Sequence, residues 1–441
     1  MIRTRHQRTL LFAFLSLAFV ASLLYDSILA QENEGWQMPL AAVMAASFAA
    51  VFFLQQYPPP LIKSVVVATW PLHLFTACFF GVCVAFHGGK PIDRVVLYTL
   101  FAYATYVLVP VLFLLDRQLF GRFVKLVAVL SALLAIPSLF GALGFESFLG
   151  LTLRVKPHYA ELSGVIASGG LFEHPEGHAY QMAIGLLCCV YALRRERSGV
   201  YLCCALLTLM GLAISQGRAA ILGVAIALAF ILLPEVFRLS PPVLIWALVF
   251  LLTSSFLIMP VLANIPGVAG YLRIERGLSA RGAVWQYALS VAAEKPWAGH
   301  GFMASTELTA AARETLRVSG FSGAGSTFHN TFISKLVDLG LIATFLYSLL
   351  YILPLIRICR PSAYPHEQEL IRSMILLTVA TAIFRDYNIG GIRSTAMLGT
   401  IFLGLANLWS LAALWGQGGS SDIAASGSDI AAFHPDTAAS H

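Results

Sequence analysis

Long apolar runs separated by short polar breaks dominate the chain. A helix crosses a bilayer with about 20 mostly apolar residues. Runs of that kind cover residues 9–30, 39–56, 61–86, 95–115, 122–144, 178–193, 199–215, 219–233, 242–262, 332–357, 370–386 and 395–415. The pattern predicts an all-α, polytopic integral membrane fold of about twelve transmembrane helices, because only helices satisfy their backbone within an apolar segment of this kind. It forms one transmembrane domain over 1–415. The runs at 178–193 and 219–233 are short for a span, which implies tilt or extension into their loops.

Two segments between the runs exceed simple connectors, 145–177 and 263–331. Function concentrates in such loops. Within the second, ARGAVWQYALSVAAE at 280–294 has a helical apolar period and suits a helix along the membrane surface. Residues 305–317 also read as helical, and SGFSGAGS at 319–326 reads as a mobile linker or lid. From residue 416 to 441 the chain is small and polar and reads as a disordered tail.

Lysine and arginine placement orients the runs. With the N-terminus in the cytoplasm, Arg3, Arg5, Arg8, Lys63, Arg117, Arg122, Lys125, Arg194, Arg195, Arg197, Arg238, Arg357, Arg360 and Arg372 all fall on that side. The opposite short loops hold Lys90, Arg94, Arg218, Arg385 and Arg393. This bias predicts both termini inside. Both long loops would then lie on the side opposite the termini.

Composition agrees with a membrane body. Of 441 residues, 58% are hydrophobic and 11% charged, against roughly 25% charged in soluble domains. The net charge of +6 is scattered among the runs, so it gives no nucleic-acid signal. The seven cysteines have no metal-ligand or disulfide spacing, and Cys188, Cys189, Cys203 and Cys204 lie inside apolar runs as small hydrophobes.

Three residues carry most of the candidate chemistry. Arg218, in ISQGRAAILG, sits between two apolar runs joined by almost no loop. It reads either as a snorkelling interfacial arginine or as an anion clamp at a helix start, with Gly217 and Ala219 leaving room for a ligand. Arg281 falls just after Ser279, an expected N-cap, where its charge opposes the helix dipole. It suits a phosphate or a lipid headgroup, and Trp285 one turn later suits an interfacial anchor. His329 lies in GAGSTFHNTF, with Thr327 as the expected N-cap and Asn330 beside the imidazole. It reads as a hydrogen-bonded structural residue or as a general base.

Weaker candidates surround them. Glu173, His174 and His178 in GLFEHPEGHAY lack the HExxH spacing of a metal helix. A turn leading into the next helix, with Glu173 or His174 lining a substrate cleft, is the expected arrangement. Arg154, Lys156, Arg273 and Arg276 are candidate contacts to anionic groups. Arg385 and Arg393 in RDYNIGGIR steer an anion or bind lipid headgroups. There is no Walker A motif, dinucleotide fingerprint or GxSxG elbow.

SQGRAA at 215–220, ARGAVW at 280–285, STFHN at 326–330 and GLFEHPEGHAY at 170–180 together resemble the O-antigen ligase/polymerase family of membrane proteins. That resemblance implies a GT-C-like glycosyltransferase that needs no metal or other cofactor. Its donor would be an undecaprenyl-diphosphate glycan, and its acceptor a sugar hydroxyl on lipid A-core. Arg218 and Arg281 would bind the diphosphate, and His329 would be the catalytic base. An O-antigen polymerase and a protein O-oligosaccharyltransferase share this resemblance. A lipid-linked glycan flippase is the alternative of another class.

Overall fold

The structure is a computed structural model, and it describes residues 4–27, 34–55, 57–87, 92–156, 166–232, 279–312, 328–359, 362–385 and 387–412. The helices are α1 Arg5–Tyr25, α2 Gln37–Leu54, α3 Pro59–Ala68, α4 Trp70–His87, α5 Ile92–Leu115, α6 Arg117–Ala142, α7 Pro175–Glu196, α8 Gly199–Ser215, α9 Arg218–Leu232, α10 Ser279–Glu294, α11 Ala304–Ala311, α12 Thr331–Arg357, α13 Pro365–Phe384 and α14 Ser394–Asn407. The expected run at 242–262, the linker at 319–326 and the tail at 416–441 lie outside the described residues.

Among the described residues, five helices (α1, α2, α5, α6 and α12) are long and apolar enough to cross a membrane. The pair α3–α4 makes a sixth if its two parts count as one span. The remaining expected spans among the described residues are helical but fall short of that test for two reasons. Helices α8, α9 and α14 are short, at 17, 15 and 14 residues. Helices α7 and α13 reach 22 and 20 residues but carry charged side chains in their terminal turns.

The run at 61–86 is not one straight helix. It bends by 64° between α3 and α4. Pro71 cannot donate an amide, and its ring excludes the carbonyl four residues earlier, so the helix breaks at Thr69. The break frees the Ala68 carbonyl, which accepts from Arg357 Nη1 at 2.8 Å and Asn407 Nδ2 at 3.0 Å. Helix α5 contains a π turn over Ala104–Leu108. Pro110 displaces the Tyr106 carbonyl there, and Gly404 of α14 packs against that carbonyl so closely that a Cβ would stand 2.2 Å from it.

Helix α7 lies at the centre and packs on α6, α8, α9, α13 and α14. Small residues permit the approach: a Cβ on Gly185 would meet Ser131 of α6, and one on Gly211 would meet Met182. The buried Gln181 amide donates to Ser131 Oγ at 2.9 Å. None of the seven cysteines forms a disulfide, and Cys188, Cys189 and Cys204 are buried among apolar side chains.

The all-α expectation needs one correction. Segment 145–177 contains two small antiparallel ladders, β1 Ser147–Phe148 with β2 Leu151–Thr152, and β3 Arg154–Lys156 with β4 Ala167–Gly170. The first turns through Leu149 and Gly150, both at positive φ (50° and 79°), which suits the right-handed twist of a hairpin.

The helix ends fall into two sets. One set gathers residue 26, the two ladders, the start of α7, the α8–α9 turn, residues 328–331 and the segment 385–394. The other gathers residues 116–117, 194–196, 357 and 365–369. At this second end Glu367 is fully buried and its Oε1 accepts from Arg117 Nη2 at 2.7 Å, Arg195 Nη1 at 2.6 Å and the Tyr191 hydroxyl at 3.1 Å. Arg194 pairs with Glu369 at 2.6 Å, and Arg8 with Asp116 at 2.9 Å. The arginines there serve helix-to-helix attachment.

Candidate active site

The site is built around the start of α12. Asn330 is the N-cap, and its Oδ1 accepts from the Ile333 amide at 3.0 Å. The cap is therefore Asn330 and not the expected Thr327, which lies outside the described residues. His329, just before the cap, has φ 53°. A non-glycine residue holds that left-handed conformation where its surroundings fix it.

Two attachments fix it. On one side Trp285 Nε1 of α10 donates to the Phe328 carbonyl at 3.0 Å. Phe328 is fully buried with Val284, Ala288 and Val291 of the same helix. Trp285 is therefore a tether between α10 and the α12 start as well as an aromatic near a helix end. On the other side Thr331 Oγ1 donates to the Arg385 carbonyl at 2.7 Å and accepts from the Tyr387 amide at 2.5 Å.

A third attachment orients α10 itself. Helix α12 breaks at Gly340, which has φ 74°. The freed carbonyls of Val337 and Asp338 accept from the amides of His300 and Gly301, each at 2.8 Å, and the Leu341 amide donates to the Pro296 carbonyl at 2.7 Å. Asp338 Oδ1 also accepts from the Ser305 amide at 2.7 Å, in the first turn of α11. The segment after α10 is thus docked into a break in α12. Phe302 of that segment packs edge-on against Phe79 of α4 at 5.0 Å.

Arg281 lies one turn before Trp285 on α10, as the sequence places it, and Ser279 is the first helical residue rather than the cap. Arg273 and Arg276 lie outside the described residues. The second expected helix, at 305–317, is observed over Ala304–Ala311.

Arg218 is the first residue of α9, after Gln216 turns the chain at φ 52°. The expected ligand space beside Gly217 is not there. Ala179 of α7 fills it, and a Cβ on Gly217 would stand 2.3 Å from the Ala179 Cβ. The glycine serves close helix packing, which brings the start of α9 against α7 just past its first turn.

That first turn carries the second group of candidates. His174 is the N-cap and Pro175 opens the helix, which begins three residues before the expected 178. His178 is separate from its exposed neighbour: it is fully buried, its ring 5.4 Å from that of Phe172. Glu173 Oε1 lies 3.6 Å from His174 Nε2, and Glu173 Oε2 lies 3.5 Å from Arg393 Nη2. Glu176 pairs with Arg385 at 3.1 Å, and the Arg385 guanidinium lies 5.8 Å from the Tyr180 ring centre. Burial holds the His174 pKa below the usual imidazole value; Glu173 opposes this, and Lys156, Arg385 and Arg393 reinforce it. Lys156 and Arg154 lie on β3, paired with Ala167 and Gly170 of β4.

Asp26 organises this group and was not signalled by any motif. It ends α1 and is buried. Its Oδ2 accepts from the Ser394 amide at 2.8 Å and the Ser394 hydroxyl at 2.7 Å, capping α14 across 368 residues. Its Oδ1 lies 3.7 Å from Arg393 Nε. Its own carbonyl accepts from the Glu173 amide at 3.3 Å. Burial pushes the Asp26 pKa up, with Arg393 and Ser394 pulling the other way. Lys335 and Asp338, buried three residues apart on α12, also escaped the sequence reading. A charged pair on an apolar helix is the signal that could have found them.

The structure therefore brings Arg218, Lys156, Glu173, His174, His329, Asn330, Arg385 and Arg393 to one end of the helices. Four cationic side chains and two histidines drawn from five separate segments suit an anionic substrate and proton transfer.

No curated protein matches the chain. Residues 203–348 match a family model described as O-Antigen ligase. That interval runs from α8 through α9 and α10 into α12, so it contains Arg218, Arg281, Trp285 and His329. By its apolar helices the chain is a multi-pass membrane protein, and over residues 203–348 it is similar to the O-antigen ligase family.

Proposed function

We propose that the chain is an O-antigen ligase of the bacterial inner membrane. It would transfer a glycan from undecaprenyl diphosphate to a sugar hydroxyl of lipid A-core at the periplasmic face. Both termini would be cytoplasmic, on a GT-C-like body of about twelve spans. The observation that carries this reading is the lead-in to α12. His329 is held in a left-handed conformation from two sides, within the interval that matches the family and at the end where Arg218 lies.

The chemistry follows from those groups. The acceptor hydroxyl oxygen attacks the anomeric carbon while His329 takes its proton. The bond from that carbon to the phosphate oxygen breaks, and its electron pair leaves with the diphosphate. Arg218 and Arg281 neutralise the charge that develops there, the task a divalent cation performs elsewhere, so the reaction proceeds without metal. One displacement inverts the anomeric centre. Isolation of a covalent glycosyl-enzyme would overturn that step.

An O-antigen polymerase would use the same donor side, and the acceptor separates the two. The purified chain is supplied with lipid-linked glycan and either lipid A-core, a second lipid-linked repeat or a pilin-like protein. A ligase gives product with lipid A-core alone. Product with another acceptor moves the assignment to polymerase or protein O-oligosaccharyltransferase. A flippase would form no glycosidic bond in detergent.

A further inference from the structure

The ion pairs at the two ends of the molecule differ in kind. Around Glu367 they are short, 2.6–2.9 Å, on a fully buried carboxylate. At the His329 end Arg393 stands 3.5 Å from Glu173 and 3.7 Å from Asp26, with its side chain 50% exposed. Charge-assisted hydrogen bonds to a guanidinium run at about 2.7–2.9 Å, so neither carboxylate saturates Arg393. The backbone beneath it is nevertheless fixed, because Asp26 grips the Ser394 amide and hydroxyl. A fixed, loosely paired, half-exposed arginine is available for a ligand.

The neighbours share that availability. Glu173 is 31% exposed and His174 50% exposed. Arg385 is held by Glu176, itself 42% exposed. Lys156 approaches from β3 closely enough to act electrostatically on His174. Cations from two segments thus face one histidine, and carboxylates of the same chain pair with the two arginines. Exposed pairs of this sort contribute little to stability and are readily exchanged. A carboxylate presents its two oxygens in one plane, whereas a phosphate presents oxygens in several directions.

We infer that Arg393, His174, Lys156 and Arg385 form an oxyanion subsite for a phosphate carried on a saccharide, in which Glu173 and Glu176 are internal placeholders that the phosphate displaces. The saccharide's place as acceptor rests on the transferase reading above; the subsite and its placeholders do not.

The test is equilibrium binding to the full chain in nanodiscs of zwitterionic lipid. The probe is a bisphosphorylated glucosamine disaccharide without acyl chains, and its dephosphorylated form is the control. Arg393→Ala is expected to weaken the phosphorylated probe about ten-fold, the loss of one charged contact. Glu173→Gln is expected to tighten it about three-fold, because the competing charge is gone while the amide keeps its size. The dephosphorylated probe should respond to neither. Glu173→Gln keeps the test sharp if Arg393→Ala unfolds, since it removes no packing. Unchanged or weaker binding in Glu173→Gln overturns the placeholder role. Competitive displacement of the probe by phosphatidylglycerol added to the nanodiscs would assign the subsite to a lipid headgroup and overturn the saccharide assignment. Glu173→Gln tightening in a chain that transfers no glycan would keep the subsite and remove the transferase reading.

Discussion

The indole nitrogen of Trp285 lies 3.0 Å from the carbonyl oxygen of Phe328, and this hydrogen bond joins the helix that carries Arg281 to the residue before His329. The two candidate positions come from segments some 48 residues apart (329 − 281). Their relative placement depends on this bond and on the docking of residues 295–301 against α12.

Trp285→Phe keeps the ring and removes the donor, leaving a buried carbonyl unpaired. Such a loss costs about 1–3 kcal/mol, spent here on the geometry of His329. The expected result is a kcat lowered about ten-fold with the donor KM within about two-fold. Steady-state kinetics on the purified chain checks it, and an unchanged kcat would show that the tether does not position the base.

Gly340→Ala should undo the docking. A Cβ there would stand 2.3 Å from the Trp297 carbonyl, and the φ of 74° disfavours any side chain. The backbone conformation alone costs about 1–3 kcal/mol in a non-glycine residue. Thermal unfolding in detergent should show a lower midpoint, and limited proteolysis should cut residues 295–301 faster.

Glu367→Ala leaves two arginines facing an empty buried site. Breaking a buried ion cluster costs about 3–5 kcal/mol, and the partly exposed arginines bring the expectation to about 2–3 kcal/mol. Activity per folded molecule should be unchanged, because Glu367 belongs to the opposite end. A fall in unfolding midpoint with full specific activity is the expected pair of readings.

Asp26 gives a pH dependence with a definite sign. Its pKa is raised in the folded chain, so the folded state binds the proton more tightly than the unfolded one. Its contribution to stability is fully present below the unfolded carboxyl value, about 3.9, and is lost as pH rises through the folded value. Asp26→Asn still accepts from Ser394 and carries no charge, so at pH near 7.5 it should match or exceed the wild type in unfolding midpoint. Asp26→Ala loses the cap of α14, about 1–2 kcal/mol, at every pH. Equal destabilisation by Asn and Ala at pH near 7.5 would mean that the charge itself is required.

Much of this arrangement was legible in the apolar pattern. Runs such as 122–144 and 199–215 became helices over Arg117–Ala142 and Gly199–Ser215, because their continuous apolar content outweighs even Pro137 inside the first. Helix α10 was legible from its period at 280–294. What the pattern could not give were relationships between distant residues. Asp26 capping Ser394, and Trp285 holding Phe328, depend on side chains meeting across the fold, and neither has a local signature. Hydropathy also averaged over backbone breaks. The bend at Thr69 had a visible cause in Pro71, but the break at Gly340 arises from a docked segment that no window around 340 contains. Gly217 misled for a related reason: a missing side chain signals close approach, and the neighbour proved to be Ala179 rather than a ligand.

The central claim is that the His329 end is where a glycosidic bond forms. Transfer from undecaprenyl-diphosphate glycan to lipid A-core is measured with purified chain, without nucleotide and with chelator, for wild type, His329→Ala, Arg218→Ala and Arg281→Ala. The expected result is product from the wild type and a loss of about 100-fold or more in folded His329→Ala, the usual worth of a positioned base, with weakened donor use in both arginine variants. Full activity in His329→Ala would contradict the assignment of the base and with it the placement of the active site.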